Sequence, residues 1–175
     1  MSSELYKVIP DIKPVSREWR RKAKDYLDRL AIPQGSLGEL LVLAEQLSGI
    51  RETLKPSVKR KVVVTMAGDH GVVREGVSAF PQDVDGFIST AGALLAKALA
   101  PNSVEYMIAA HRSMEYGHQF MLEELGLNPL LNLNLRLGEG TGAALAMNIV
   151  ESAAQVICRM LTFEAAGVNG PGIYK

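Results

Sequence analysis

The chain has 175 residues, 47% of them apolar, with 19 basic against 19 acidic side chains, three His and one Cys. This length suits one domain with a small appendage, able to bury about 70% of its unfolded surface. Balanced charge excludes polyanion binding such as nucleic acid as the main task, and one Cys excludes an internal disulfide framework, so a reducing, cytoplasmic setting is expected.

In chain order, MSSELYKVIP has no apolar core and no cleavage site, so no signal peptide is expected, and residues 1–16 read as an irregular lead-in. Ser16 is placed to cap a helix reaching Leu30, with Trp19, Ala23, Tyr26 and Leu30 at helical spacing. Pro33–Ser36 reads as a turn, and Ser36 with Glu39 forms a capping-box pattern. The helix it opens carries Leu37, Leu40, Leu41, Ala44 and Leu47 on one face and is expected to stop at Gly49. The cationic run Lys55–Lys61 reads as a solvated loop before a strand. That strand, Lys61–Ala67, is a continuous β-branched run of the kind buried on both faces of a parallel sheet, and it ends in the turn Gly68-Asp69-His70-Gly71.

Residues 72–84 read as a loop. Phe87–Ala100 is apolar nearly all round and predicts a buried helix, with Lys97 interrupting what would otherwise be the best candidate for a membrane span. Ser103–Ala110 predicts a second strand ending at His111, and Glu115–Leu125 a helix stopped by Gly126. Leu131–Leu137 alternates strictly and suggests a third strand, or else a short irregular segment. The run Gly138-Glu139-Gly140-Thr141-Gly142 precedes a long helix over about 143–164, in which Cys158 reads as a buried structural thiol. Strands alternating with helices predict an α/β fold: a Rossmann-like parallel sheet of about three strands, flanked by helices. Residues 1–50 are expected to form a helical segment packing with the C-terminal helix, and 51–175 the reduced α/β core.

Ligands of parallel sheets bind beyond the carboxyl ends of the strands, where three polar clusters fall. The glycines around Glu139 permit close backbone approach, and the helix that follows offers free N–H groups to an anion. Glu139 reads either as a complement to the helix dipole or as a general base, its basicity raised by a desolvating apolar ligand. Asp69 and His70 read as turn-stabilising, or as an acid–base pair; no matching ligand spacing supports a metal. Ser78 and Phe80 are candidates to line an aromatic pocket. His111 and His118 read as structural or ligand-contacting.

Taken together, AGDHGV (67–72), GVSAFP (76–81), DGFIS (85–89), AAHRSMEYGH (109–118) and RLGEGTGAALA (136–146) are specific in combination and in order. The chain resembles the nicotinate-nucleotide–dimethylbenzimidazole phosphoribosyltransferases. The resemblance implies a Rossmann-like core with a small helical domain from the chain ends, working as a homodimer; no cofactor or metal is expected. It implies transfer of phosphoribose from nicotinate mononucleotide to 5,6-dimethylbenzimidazole, with Glu139 as the base that takes the azole proton. It places Ser78 and Phe80 near the benzimidazole, and Asp85, Arg112, Ser113 and Gly117 toward the nucleotide; Asp69, His70, Gly138 and Gly140 are further substrate-binding candidates. The family chain is about twice as long. Here Val84 is followed at once by Asp85, so a central segment with a GEMGxxNTT-like run and several strands is missing, and this motif occurs nowhere in the sequence.

Overall fold

A computed structural model describes residues 7–61, 89–136 and 140–170. The first helix, α1, spans Arg17–Leu27, and Ser16 caps it, accepting the Trp19 N–H at 3.3 Å. It ends three residues before the expected Leu30, which is instead buried in an antiparallel bridge with Thr162.

Helix α2, Glu39–Arg51, departs from expectation at both ends. Its N-cap is Gly38 at φ +48°, with no side-chain cap, so Ser36 does not close a capping box. It runs past Gly49 to a left-handed Glu52. Gly49 is instead a point of close approach: a Cβ there would lie 2.5 Å from Arg20 Cγ and 2.7 Å from Val15 Cγ1. The buried face carries Leu43, Ala44, Leu47, Ser48 and Gly49, while Leu37, Leu40 and Leu41 are partly buried beside the core.

Helix α3, Ser89–Leu99, packs on α4, Tyr116–Leu125, which stops at left-handed Gly126 as its sequence predicts. Helix α3 is not the buried helix expected, since Leu95 is 59% exposed. Its apolar composition exceeds what the described surroundings cover.

Helix α5, Thr141–Arg159, is the longest described element, and the short α6, Phe163–Ala166, follows it. The sequence predicts one continuous helix to 164. The break at Met160–Thr162 arises because this stretch pairs with the residues after α1: Ala31 N–H donates to Leu161 O at 2.8 Å, and Phe163 N–H to Arg29 O at 3.0 Å. An extended segment cannot make these bonds and remain helical. Among the described helices α5 has the length and hydropathy to cross a membrane. The second half of its apolar face is packed on protein. Ala153, Ala154, Val156 and Ile157 join Ala23, Leu27, Leu30, Leu43, Ala44 and Leu47 in one cluster formed by α1, α2 and α5.

The parallel sheet is the expectation that fails. Among the described residues there is no strand. Of Lys61–Ala67 only Lys61 is described, and it is irregular. The proposed second strand begins as a 3-10 helix, Pro101–Tyr106, with Pro101 fixing its first turn. In the proposed third strand, Leu131 makes one parallel bridge to His111, and then Asn134 turns left-handed at φ +56°. The alternation of Leu131–Leu137 matches a strand, but a ladder needs consecutive extended residues, and Asn134 interrupts them.

A polar seam joins the 3-10 helix to the three-helix cluster. The Gln46 amide donates to Glu105 O at 2.9 Å and Met107 O at 3.1 Å. Glu105 accepts the Val15 N–H at 3.0 Å, and Asn102 donates to Ile12 O at 3.0 Å. The Lys55–Lys61 run is irregular, and Lys61 pairs with Glu151 at 2.6 Å.

Candidate functional site

The described part of the site gathers where the 109–114 stretch meets the 130–135 stretch and the start of α5. Leu130 N–H donates to Ala109 O at 2.9 Å, Arg112 N–H to Leu131 O at 2.8 Å, and Met114 N–H to Leu135 O at 3.1 Å. These bonds hold the two stretches side by side without forming a strand.

His111 lies at their junction. Its Nε2 accepts the Leu133 N–H at 3.1 Å. Its Cβ would be 2.5 Å from a Cβ built on Gly142, in the first turn of α5, so only glycine lets the helix start this close to the ring. One imidazole therefore touches segments on both sides of residues 137–139.

Ser113 and His118 form the next layer. Ser113 N–H donates to His118 Nδ1 at 3.3 Å, the Ser113 hydroxyl donates to Leu135 O at 3.4 Å, and Glu115 N–H donates to Ser113 Oγ at 3.2 Å. Burial holds His118 below the usual histidine pKa, and a positive charge on His111 would lower it further. A neutral ring at His118 is what the Nδ1 acceptor role needs.

Helix α5 begins at Gly140, whose φ of +80° sets the turn. Among the described residues no side chain caps it and no acidic residue lies in its first turn, while Ala144 N–H already bonds to Gly140 O at 2.9 Å. Its earlier N–H groups are those that lack partners within a helix, at the positive end of the helix dipole.

Of the predicted site residues, the structure brings Ser113 against the 131–135 stretch and sets Gly140 at the start of α5. Arg112 has an exposed side chain and takes part through its backbone. Gly117 is exposed in the first turn of α4, with only ordinary contact to Met121. Asp69, His70, Ser78, Phe80, Asp85, Gly138 and Glu139 lie outside the described residues. Leu133 and Gly142 were not anticipated as partners of His111. Gly142 carried a signal, a third glycine in GEGTG where a cap alone needs one.

An open groove on α5, lined by Glu151, Ser152, Gln155, Val156, Arg159 and Met160, contains none of these residues. It lies about 15 Å along the helix from the α5 start, by the rise of 1.5 Å per residue. Cys158 lies on the same half of α5; its thiol donates to Pro56 O at 3.6 Å, and burial pushes its pKa up, which suits a structural thiol.

A family model described as phosphoribosyltransferase matches the chain in two pieces, residues 12–84 and 84–168. The nicotinate-nucleotide–dimethylbenzimidazole phosphoribosyltransferase of Syntrophotalea carbinolica is 28% identical over 347 aligned positions, covering 94% of this chain and 98% of the relative. The enzyme of the same name from Geobacter sp. strain M21 is 56% identical over 105 residues, covering 59% of this chain but 30% of the relative. The 347-position alignment is about twice the 175 residues available here, so a long stretch of the relative has no counterpart. The chain thus spans about half the length of such relatives, and the family match divides at the Val84–Asp85 junction where a segment was expected to be missing. The crystal structure of the Thermus thermophilus enzyme of this name superposes with a TM-score of 0.80 at 22% identity, covering 89% of this chain and 99% of that one. At that identity the likeness speaks for a shared fold.

Proposed function

The chain belongs to this phosphoribosyltransferase family, and from that premise we propose that it transfers phosphoribose from nicotinate mononucleotide to 5,6-dimethylbenzimidazole. An azole nitrogen attacks C1′ of the nucleotide, the bond from C1′ to the pyridinium nitrogen breaks, and nicotinate leaves as α-ribazole 5′-phosphate forms. The leaving ring is already cationic, so it needs little acid assistance. The azole proton passes to the carboxylate of Glu139.

The observation that carries this reading is the second matched piece, 84–168, which retains the whole RLGEGTGA run and opens α5 at an uncapped Gly140. A carboxylate just ahead of that helix is electrostatically favoured as an anion, and a dry aromatic ring stacked beside it would raise its basicity. Asp69, His70, Ser78 and Phe80 would line the azole side. Asp85, Arg112, Ser113 and Gly117 would line the nucleotide side, with Gly138 and Gly140 flanking the base. The protein works in the cytoplasm as a homodimer, without a cofactor, and light scattering at twice the 18.9 kDa chain mass checks the assembly.

The test mixes the chain with both substrates and follows nicotinate release and ribazole phosphate formation by chromatography. Glu139→Gln should lower turnover about 10²–10⁴-fold. An unchanged rate in that variant removes Glu139 from the role. The halved length favours a second reading, a remnant that binds nucleotide, azole or a full-length partner without turning over. Calorimetric binding of either ligand with no product would select it.

A further inference from the structure

We infer that His111 is a positioning residue: one neutral imidazole ties the Leu133 amide to the first turn of α5, the two described segments that flank Glu139 in the sequence. The role of Glu139 rests on the function proposed above; the bridge itself does not.

Two contacts carry the inference. On one side His111 Nε2 accepts the Leu133 N–H at 3.1 Å. On the other, the Cβ and ring of His111 fill the space a side chain at position 142 would need, with separations of 2.5 Å to Cβ and 3.1 Å to Cγ. Leu133 and Gly142 stand six residues before and three residues after Glu139. The backbone of His111 is itself fixed by its parallel bridge to Leu131. A base that must meet one azole proton gains from flanking segments tied to a common side chain, because a displacement of about 1 Å can cost about 10²-fold in rate.

The bridge dictates a tautomer. Nε2 accepts, so the neutral ring carries its proton on Nδ1. It also dictates which substitutions rescue. Gln at 111 can extend an amide oxygen toward the Nε2 position, whereas Leu fills similar space with no acceptor. Ala at 142 meets the Cβ of His111 and must push the helix start away.

Nitrogen NMR on the unmodified chain should show His111 in the Nδ1–H form, with Nε2 hydrogen-bonded to the Leu133 amide. An Nε2–H form overturns the inference without any variant being made. In His111→Leu the Leu133 amide should exchange with solvent about 3- to 10-fold faster, the weight of one hydrogen bond, while Ala153 and Ala154 keep their rates. His111→Gln should restore protection, and unchanged Leu133 exchange in His111→Leu would also overturn the bridge. In turnover, His111→Leu and Gly142→Ala should lower kcat with little change in KM, and His111→Gln should recover kcat. An intact kcat in His111→Leu with the Leu133 bond lost would sink positioning. A Glu139→Gln variant as fast as the parent would sink the base instead, and a chain with no turnover at all would sink the transfer reaction while the tautomer still decides the bridge.

Discussion

Glycine does two different jobs at two positions in this chain. At Gly140 a φ of +80° starts a helix, which RLGEGTGA announces. At Gly49 the backbone is helical and the missing Cβ is the point. There α2 presses on Arg20 and on Val15, which is 2% exposed. Gly49→Ala should therefore destabilise the protein by about 1–3 kcal/mol, the usual cost of overpacking, although alanine favours helices. Urea unfolding reads the sign, and a stabilised variant would mean that the Arg20 methylenes and Val15 yield freely. In the sequence Gly49 reads as a helix stop because a glycine after a run of leucines is most often a C-cap. The close neighbours that make it something else come from residues 29 and 34 positions earlier, and no local pattern carries that information. The same holds for His111, readable as a polar residue near a ligand-facing end, while its partners at 133 and 142 depend on how three segments converge.

Among the described elements, a helix end marked by a local bond or a left-handed glycine is legible in the sequence, and the second and third expected strands are not observed. Ser16 and Gly126 mark helix ends through local bonds and local backbone strain, so α1 and α4 follow their sequences closely. A strand is defined by its neighbour. Leu131–Leu137 alternates, yet among its described residues only Leu131 is bridged, because Asn134 turns left-handed and the Leu133 N–H goes to an imidazole. The 3-10 helix Pro101–Tyr106 replaces the start of the second expected strand, and its position depends on Gln46, which donates to the carbonyls of Glu105 and Met107 at its end. Gln46→Leu keeps the volume and removes both donors, leaving two half-buried carbonyls to be satisfied otherwise. A loss of about 1–3 kcal/mol is expected, read by thermal or urea unfolding; an unchanged midpoint would show that water replaces the amide.

For the whole molecule, the question is how a chain half the length of its relatives keeps a core. The apolar cluster draws on α1 and α2, both before residue 52, and on α5, after residue 140. The division of the family match at residue 84 falls between these groups and outside all three helices. Leu27, Leu43, Leu47 and Ile157 meet across that division. The candidate site does not share this insulation, since Asp69, His70, Ser78, Phe80 and Asp85 stand within about 15 positions of the junction in the sequence. The family is legible from motifs that survive at both sides of the gap. The sheet is not, because motif resemblance carries the full family architecture with it, whereas among the described residues the expected second and third strands find no ladder partner.

The bonds that tie Ala31 to Leu161 and Arg29 to Phe163 also impose an order of events during synthesis. A ribosome adding about 5–20 residues per second finishes α2 about 5–20 s before it finishes α5. Through that interval Leu27, Leu30, Leu43 and Leu47 have no late partner to cover them and are the natural footing for a holding chaperone. A chain ended at residue 136 should be cut rapidly by protease within 17–51, where the full chain resists; equal resistance would mean that the first two helices are stable as a pair.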